Sequence, residues 1–131
     1  MEEDKIKIKK FTDLNAWKFG HEIVLETYKI TKMFPKSELF VLVSQMRRCS
    51  ISITSNIAEG FSRQSFKEKI RFYSVALGSA TELQNQYIVS RDIGYIDNKI
   101  FIETDKKLLV LHKVINGLIR KSKSILHNSN L

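Results

Sequence analysis

Residues 39–60 constrain the fold more than any other stretch. Leu39, Val43, Met46, Ser50, Ile53, Ile57 and Gly60 recur at alternating steps of four and three, the seam of a packed helix. Residues 50–54 alone alternate with period two and would suit half a strand. The wider window overrides that reading. Gln45, Arg48, Ser52, Asn56, Glu59 and Arg63 then fall on a second, polar stripe of the same helix. Hydroxyl and β-branched residues form helices poorly, so packing must hold this segment. Its small side chains let neighbouring backbones come close.

The remaining chain reads as three further helices. Thr12 or Asp13 is placed to cap the first, with Leu14, Trp17, His21, Val24 and Tyr28 as its apolar stripe. His21 on that stripe reads as a core histidine. Glu22 and Glu26 stand at helical spacing from Lys18 and Lys29. Pro35 stops this helix, and Ser37 is placed to cap the central one, with Gly60 as its C′ residue and Phe61 folding back beyond it. Ser65-Phe66-Lys67-Glu68 is a capping box opening helix three, which carries Phe66, Ile70, Tyr73, Leu77, Ala80 and Tyr87. Gly78, Ser79 and Ala80 make a narrow waist suited to the small residues of helix two. Gly94 ends helix three and Asp97 caps helix four, where Phe101, Thr104, Leu108, Leu111, Ile115, Leu118, Ser122 and Ile125 keep an unbroken heptad.

Short connections make successive helices antiparallel, so the expectation is an all-α, up-down-up-down four-helix bundle. One domain spans residues 1–131, with an N-terminal arm over 1–11 and a frayed tail over 127–131. At 131 residues the chain is long enough for a real core, and one cysteine suits a reducing cytoplasm. No apolar run approaches the ~20 residues that span a bilayer, and the N-terminus lacks the apolar part of a secretion signal.

No reaction is legible. His21, His112 and His127 are scattered, with no cysteine or carboxylate at ligand spacing, so no metal or other cofactor is expected. Cys49 follows two arginines but has no histidine at a usable spacing, and reads as a small buried residue. Phosphate loops and nucleophile motifs are missing, so an enzyme is not expected. Asn56, Glu59 and Arg63 read as an interhelical network fixing register where helix two meets another chain, with Gly60, Gly78 and Ser79 beside it.

The charges are more informative. The net charge is +8, from 22 Lys+Arg against 14 Asp+Glu. Arg47, Arg48, Arg63, Lys67, Lys69 and Arg71 face only Glu59 and Glu68 over residues 47–71. Lys106, Lys107, Lys113, Arg120, Lys121 and Lys123 meet no acidic residue from 106 to the end of the chain. Aromatic residues are not interleaved with these charges. Contact with an RNA or DNA backbone, without base readout or stacking, is the expectation. The alternative partner is an acidic protein, the chain serving as an adaptor. Ile51, Ala58, Phe72 and Val75 lie off the main seams, which favours a homo-oligomer.

Several motifs carry a family resemblance over about residues 11–120. They are Asp13-Leu14 with Trp17, Phe34-Pro35-Lys36-Ser37-Glu38, Gln45, Arg47-Arg48, Ser52-Ile53, Asn56-Ile57-Ala58-Glu59-Gly60 with Arg63, Ala76-Leu77-Gly78-Ser79 and Glu82-Leu83. In these the chain resembles the bacterial four-helix-bundle proteins also called 23S rRNA intervening-sequence proteins. The resemblance implies an antiparallel bundle assembling into a ring, typically a pentamer, with no enzymatic activity. It also implies a link to inserted segments of ribosomal RNA genes. Through similar accessory subunits of diversity-generating retroelements, it implies a reverse transcriptase as a possible kind of partner. Two departures stand out: Leu77 where the family usually has arginine, and Thr54-Ser55 where it often has Pro-Ala.

Overall fold

The computed structural model describes residues 7–129. Four helices make up the fold: α1 (Asn15–Thr31), α2 (Ser44–Ser62), α3 (Phe66–Ile93) and α4 (Asn98–Ser129). No strand occurs among the described residues, and residues 50–54 lie inside α2. Most of the N-terminal arm, residues 1–6, and the last two residues lie outside the described part. The tail departs from expectation, since α4 stays helical through Ser129.

Contacts between neighbours run in opposite senses along the chain. Between α2 and α3, Met46 meets Ser90, Cys49 meets Glu82, Ser52 meets Ser79 and Gly60 lies against Tyr73. Between α3 and α4, Gln84 bonds Asp105 and Arg91 covers Phe101. α1 closes the square, with Arg47 reaching back to Thr31 and Gly20 seated against Thr54. On its other side Glu26 takes Lys107 and Thr104.

The α2 seam is buried as its spacing requires. Val43, Met46, Ser50, Ile53, Ile57 and Gly60 all face inward, joined by Cys49. Across from them stand Tyr73, Ala76, Ala80, Leu83 and Tyr87 of α3 and Leu108, Leu111 and Ile115 of α4. Buried hydroxyls are accommodated because they bond back to their own helix. Ser50 donates to Arg47 O, Ser90 to Gln86 O, Ser122 to Leu118 O and Thr31 to Thr27 O. Tyr87 and Thr27 share a buried hydroxyl–hydroxyl bond of 2.7 Å between the diagonal helices α3 and α1.

Three caps follow the sequence reading. Ser65 Oγ accepts from Glu68 N, Gly94 ends α3 with φ of +97°, and Asp97 Oδ1 accepts from Ile100 N. Others do not. Leu14 occupies the α1 N-cap without a side-chain bond, and Asp13 instead accepts the amides of Lys9 and Lys10 at 3.0 Å each. Ser37 caps nothing, because a 3₁₀ turn (Lys36–Glu38) and then a wider π-type turn (Leu39–Val43) precede α2. Gly60 is not a C′ residue, since α2 continues to Ser62 and Arg63 is its extended C-cap. What Gly60 supplies is room: a Cβ there would stand 2.6 Å from Tyr73 Cε1.

The buried face of α1 is displaced by one residue from the expected stripe. Ala16, Gly20, Ile23, Thr27 and Ile30 go inside, while Leu14, Trp17, Val24 and Tyr28 ride at the margin. His21 is exposed and stacks on Trp17 at 4.7 Å, so it is not a core histidine. Glu22 and Glu26 turn to α4, both reaching Lys107, so Lys107 is not one of the unpaired cations of the C-terminal run: its acids come from α1.

Candidate nucleic-acid interface

Antiparallel order brings the end of α2, the start of α3 and the end of α4 to one end of the bundle. The segment before α1 joins them, since Ile8 and Asp13 share cavities with Lys121. Lys9, Lys10, Arg63, Lys67, Lys69, Arg71, Arg120, Lys121 and Lys123 therefore collect there, against Asp13, Glu59 and Glu68. Lys67, Arg71, Arg120, Lys121 and Lys123 are exposed. Two charge runs separated by about fifty residues thus become one basic end.

Two cations at this end also hold the fold. Lys69 Nζ donates to Phe61 O at 2.7 Å and lies 3.4 Å from Gly60 O, which also accepts from Arg63 N at the end of α2. Burial lowers its pKa. Arg63 pairs with Glu59 one turn back at 3.2 Å and lies 4.7 Å over the Phe72 ring. Its Nε is buried without a protein partner.

Aromatic rings accompany these charges, contrary to the sequence expectation. Lys69 Nζ stands 5.4 Å from the Phe61 ring centroid and 5.7 Å from that of Phe66. Both rings line a cavity of about 240 Å³ together with Tyr73, Leu118, Lys121 and Ser122. Phe61 was legible as the residue beyond a helix end, and Phe66 as the first residue of the helix three stripe. Nothing in their spacing announced that they would meet α4.

The other expected site residues lie elsewhere. Lys113 is exposed on α4 eight positions before Lys121, roughly 12 Å away along the helix. Arg47 and Arg48 stand fifteen or sixteen positions before Arg63, more than 20 Å at ~1.5 Å per residue. Arg47 is committed to α1: its Nε donates to Thr31 Oγ1 at 3.0 Å and its guanidinium lies 4.7 Å over Tyr28. Arg48 is exposed and lines a polar groove between α2 and α3 with Gln45, Ser52, Glu82 and Gln86.

The polar constellation of α2 divides in two. Asn56 Nδ2 donates to Ser52 O at 2.8 Å, and Ser52 Oγ bonds Ser79 Oγ at 2.9 Å, tying α2 to α3 within one chain. Glu59 and Arg63 form a separate pair. Gly78 is exposed with nothing within 4 Å of where a Cβ would stand, so it is not part of the waist.

Cys49 is an inert thiol in this setting. Its Sγ lies 3.0 Å from Ser79 O and 3.2 Å from Glu82 Oε2, and burial followed by the Glu82 contact pushes its pKa up to about 12. Among the described residues no group of three or more His, Cys, Asp or Glu is placed to hold a metal ion. None of their helices is long and apolar enough to cross a membrane.

Residues 12–117 match the family profile of the 23S rRNA-intervening sequence protein. The chain is also similar in fold to a protein of unknown function from the S23 ribosomal protein family of Bacteroides thetaiotaomicron, solved by crystallography. That likeness has a TM-score of 0.74 and 21% identity, over 80% of this chain and 95% of the other. No functionally curated protein matches.

Proposed function

From the premise that the chain belongs to the 23S rRNA-intervening sequence protein family, we propose that it is a non-enzymatic accessory protein. In this reading it binds RNA or DNA backbone through its basic end, and does so as a homo-oligomeric ring. The carrying observation is the gathering of Lys67, Arg71, Arg120, Lys121 and Lys123, all exposed, around an end whose acids among the described residues are Asp13, Glu59 and Glu68. Such a surface attracts phosphates without reading bases. A ring would present several such ends together, adding weak contacts into useful affinity. Supporting the ring, Ile51 and Val75 stand 41% and 49% exposed on α2 and α3. A pentamer and a reverse transcriptase partner belong to the same proposal and rest on family resemblance.

Replacing Arg120, Lys121 and Lys123 together with Glu tests the basic end. Affinity should fall about equally for unrelated duplexes. The log–log salt slope should shrink by about 0.9 for each phosphate that the variant no longer neutralises on B-DNA. Sedimentation of the same variant distinguishes a weakened phosphate surface from a broken ring. Unchanged affinity in an intact oligomer would remove the basic end from the mechanism.

The opposite end favours a second reading, an adaptor for an acidic protein. There Phe40 is 89% exposed, with exposed Val41 next to it and exposed Met33 seven residues earlier, apolar surface that nucleic acid does not require. Recovery of one acidic protein from nuclease-treated lysate, abolished in Phe40→Ser, would support that reading.

A further inference from the structure

The cavity at the basic end has a composition that phosphate binding alone does not call for. Phe61, Phe66 and Tyr73 supply aromatic wall, Ile8, Leu14, Leu118 and Ile125 supply aliphatic wall, and Lys69, Lys121 and Ser122 supply polar groups. Tyr73 is almost fully buried, so its ring is fixed wall. Lys69 is committed to the Phe61 and Gly60 carbonyls and lends positive charge beside the rings. Lys121 reaches the cavity from α4, and Lys67 is exposed on α3 directly after Phe66.

The volume narrows the choice of ligand. About 240 Å³ lies below the ~300–1,000 Å³ of pockets for drug-sized molecules. A single ring system fits, whereas a long acyl chain or a folded peptide segment does not. Lysines beside the opening select a group that carries negative charge next to a flat apolar body. A nucleotide has that form, with its base as the body and its phosphate as the charge.

We propose that this cavity receives one unpaired nucleobase of a single strand, against Phe61 and Phe66, while the adjoining phosphates lie on Lys121 and Lys67. The proposal rests on the nucleic-acid reading above and sharpens it. A duplex with all its bases paired would touch only the cations, and a strand offering a free base would add one stacking interaction. The preference is for unpaired ends or loops, not for any particular base.

The test compares two labelled strands of one length, each annealed to a complement one nucleotide shorter so that only the terminal residue is unpaired, that residue carrying an ordinary base in one strand and being abasic in the other, by fluorescence anisotropy. The base-bearing strand should bind about tenfold more tightly to the wild-type protein, the abasic strand matching a blunt duplex. Phe66→Ala should abolish the difference and leave abasic binding unchanged. Phe66→Leu keeps an apolar wall without the aromatic face, and carries the test if the alanine variant melts early by circular dichroism. Equal binding of both strands to an intact wild-type oligomer overturns this inference and leaves the backbone-binding function standing. Failure of every strand and duplex to bind overturns both. Polyglutamate binding as tightly as the base-bearing strand would also overturn it, in favour of an acidic protein.

Discussion

The two ends of the bundle handle charge in opposite ways. At the end holding the α1 C-terminus and the α4 N-terminus, several cations meet acids or fixed acceptors, while Lys32, Lys36, Arg48 and Lys99 are exposed. Lys107 reaches Glu26 and Glu22, Arg91 reaches Asp92, and Arg47 is spent on Thr31 and Tyr28. Even the uncharged Tyr95 donates to Glu38 at 2.6 Å. At the other end Lys69 and Arg63 lean on carbonyls and rings, and the remaining cations project outward. Part of the charge at the first end serves folding, and Glu38, Asp92, Asp97 and Glu103 stand among its cations. At the second it exceeds what folding uses, and that surplus is the reason to look for a polyanion there.

The largest test of this contrast is alkaline. The Cys49 thiol would ionise near 9.0 when unburied but is held to about 12 beside Glu82. Its contribution to stability is complete below pH 9 and is lost as pH rises toward 12, because alkali then favours the unfolded chain. The loss should be on the order of 4 kcal/mol, at ~1.4 kcal/mol per unit. Urea unfolding at stepped pH should show it, and Cys49→Ala should remove the part that begins near pH 9. Buried Tyr73 and Tyr87, whose hydroxyls burial also pushes up, add the part that begins near pH 10.

Next in size is a pair of glycines. Gly60→Ala would drive a Cβ into the Tyr73 ring and Phe72 Cβ, costing about 1–3 kcal/mol in denaturant unfolding. Gly78→Ala meets nothing and should stabilise the exposed helix by up to ~1 kcal/mol. Equal effects at the two positions would mean the basic end is less tightly closed than described.

Arg47→Ala should then cost about 1 kcal/mol of stability by removing its bond to Thr31 and its packing on Tyr28, with no change in nucleic-acid affinity. Arg120→Ala should do the reverse. The smallest effect belongs to Lys107→Met, roughly 0.5 kcal/mol, because the pair with Glu26 is nearly half exposed on the lysine side. Pairing with Glu26 raises the Lys107 pKa, so this stabilisation is present at neutral pH and is lost only above the ordinary lysine range. A salt titration of the melting temperature, wild type against variant, would show it.

Much of the architecture was legible because α2, α3 and α4 carry their seams in bulky residues. Met46, Ile53 and Ile57, then Leu108, Leu111 and Ile115, mark the inside by hydropathy alone. In α1 only Ile23 and Ile30 mark the inside by bulk, and Ala16, Gly20 and Thr27 share it, their smallness letting α2 and α3 approach. Hydropathy gives such residues little weight, so Trp17 and Tyr28 drew the stripe one residue aside. Ion pairs were misassigned for a related reason. Spacing along one helix pairs Glu26 with Lys29, but a better-placed Lys107 arrives from a helix 81 residues away. The candidate interface was half visible. The cations could be counted, but their meeting, and the rings among them, depend on which helix ends adjoin.

Length changes just ahead of α2 need not reach the core, because the π-type turn at Leu39–Val43 takes up phase. Such a turn holds one more residue than an α-helical turn would. Each added residue rotates what lies upstream by roughly 100°, as 3.6 residues per turn requires. Leu39 opens the apolar repeat by its spacing, yet it is exposed, and Val43 is the first of that repeat to be buried. The turn behaves as an expansion joint. Dropping one residue from it would tighten the turn to ordinary α geometry and swing the upstream side chains round, while Ser44–Ser62 kept its grip on α3. Homologous chains can therefore differ in the length of this connection and still share one core.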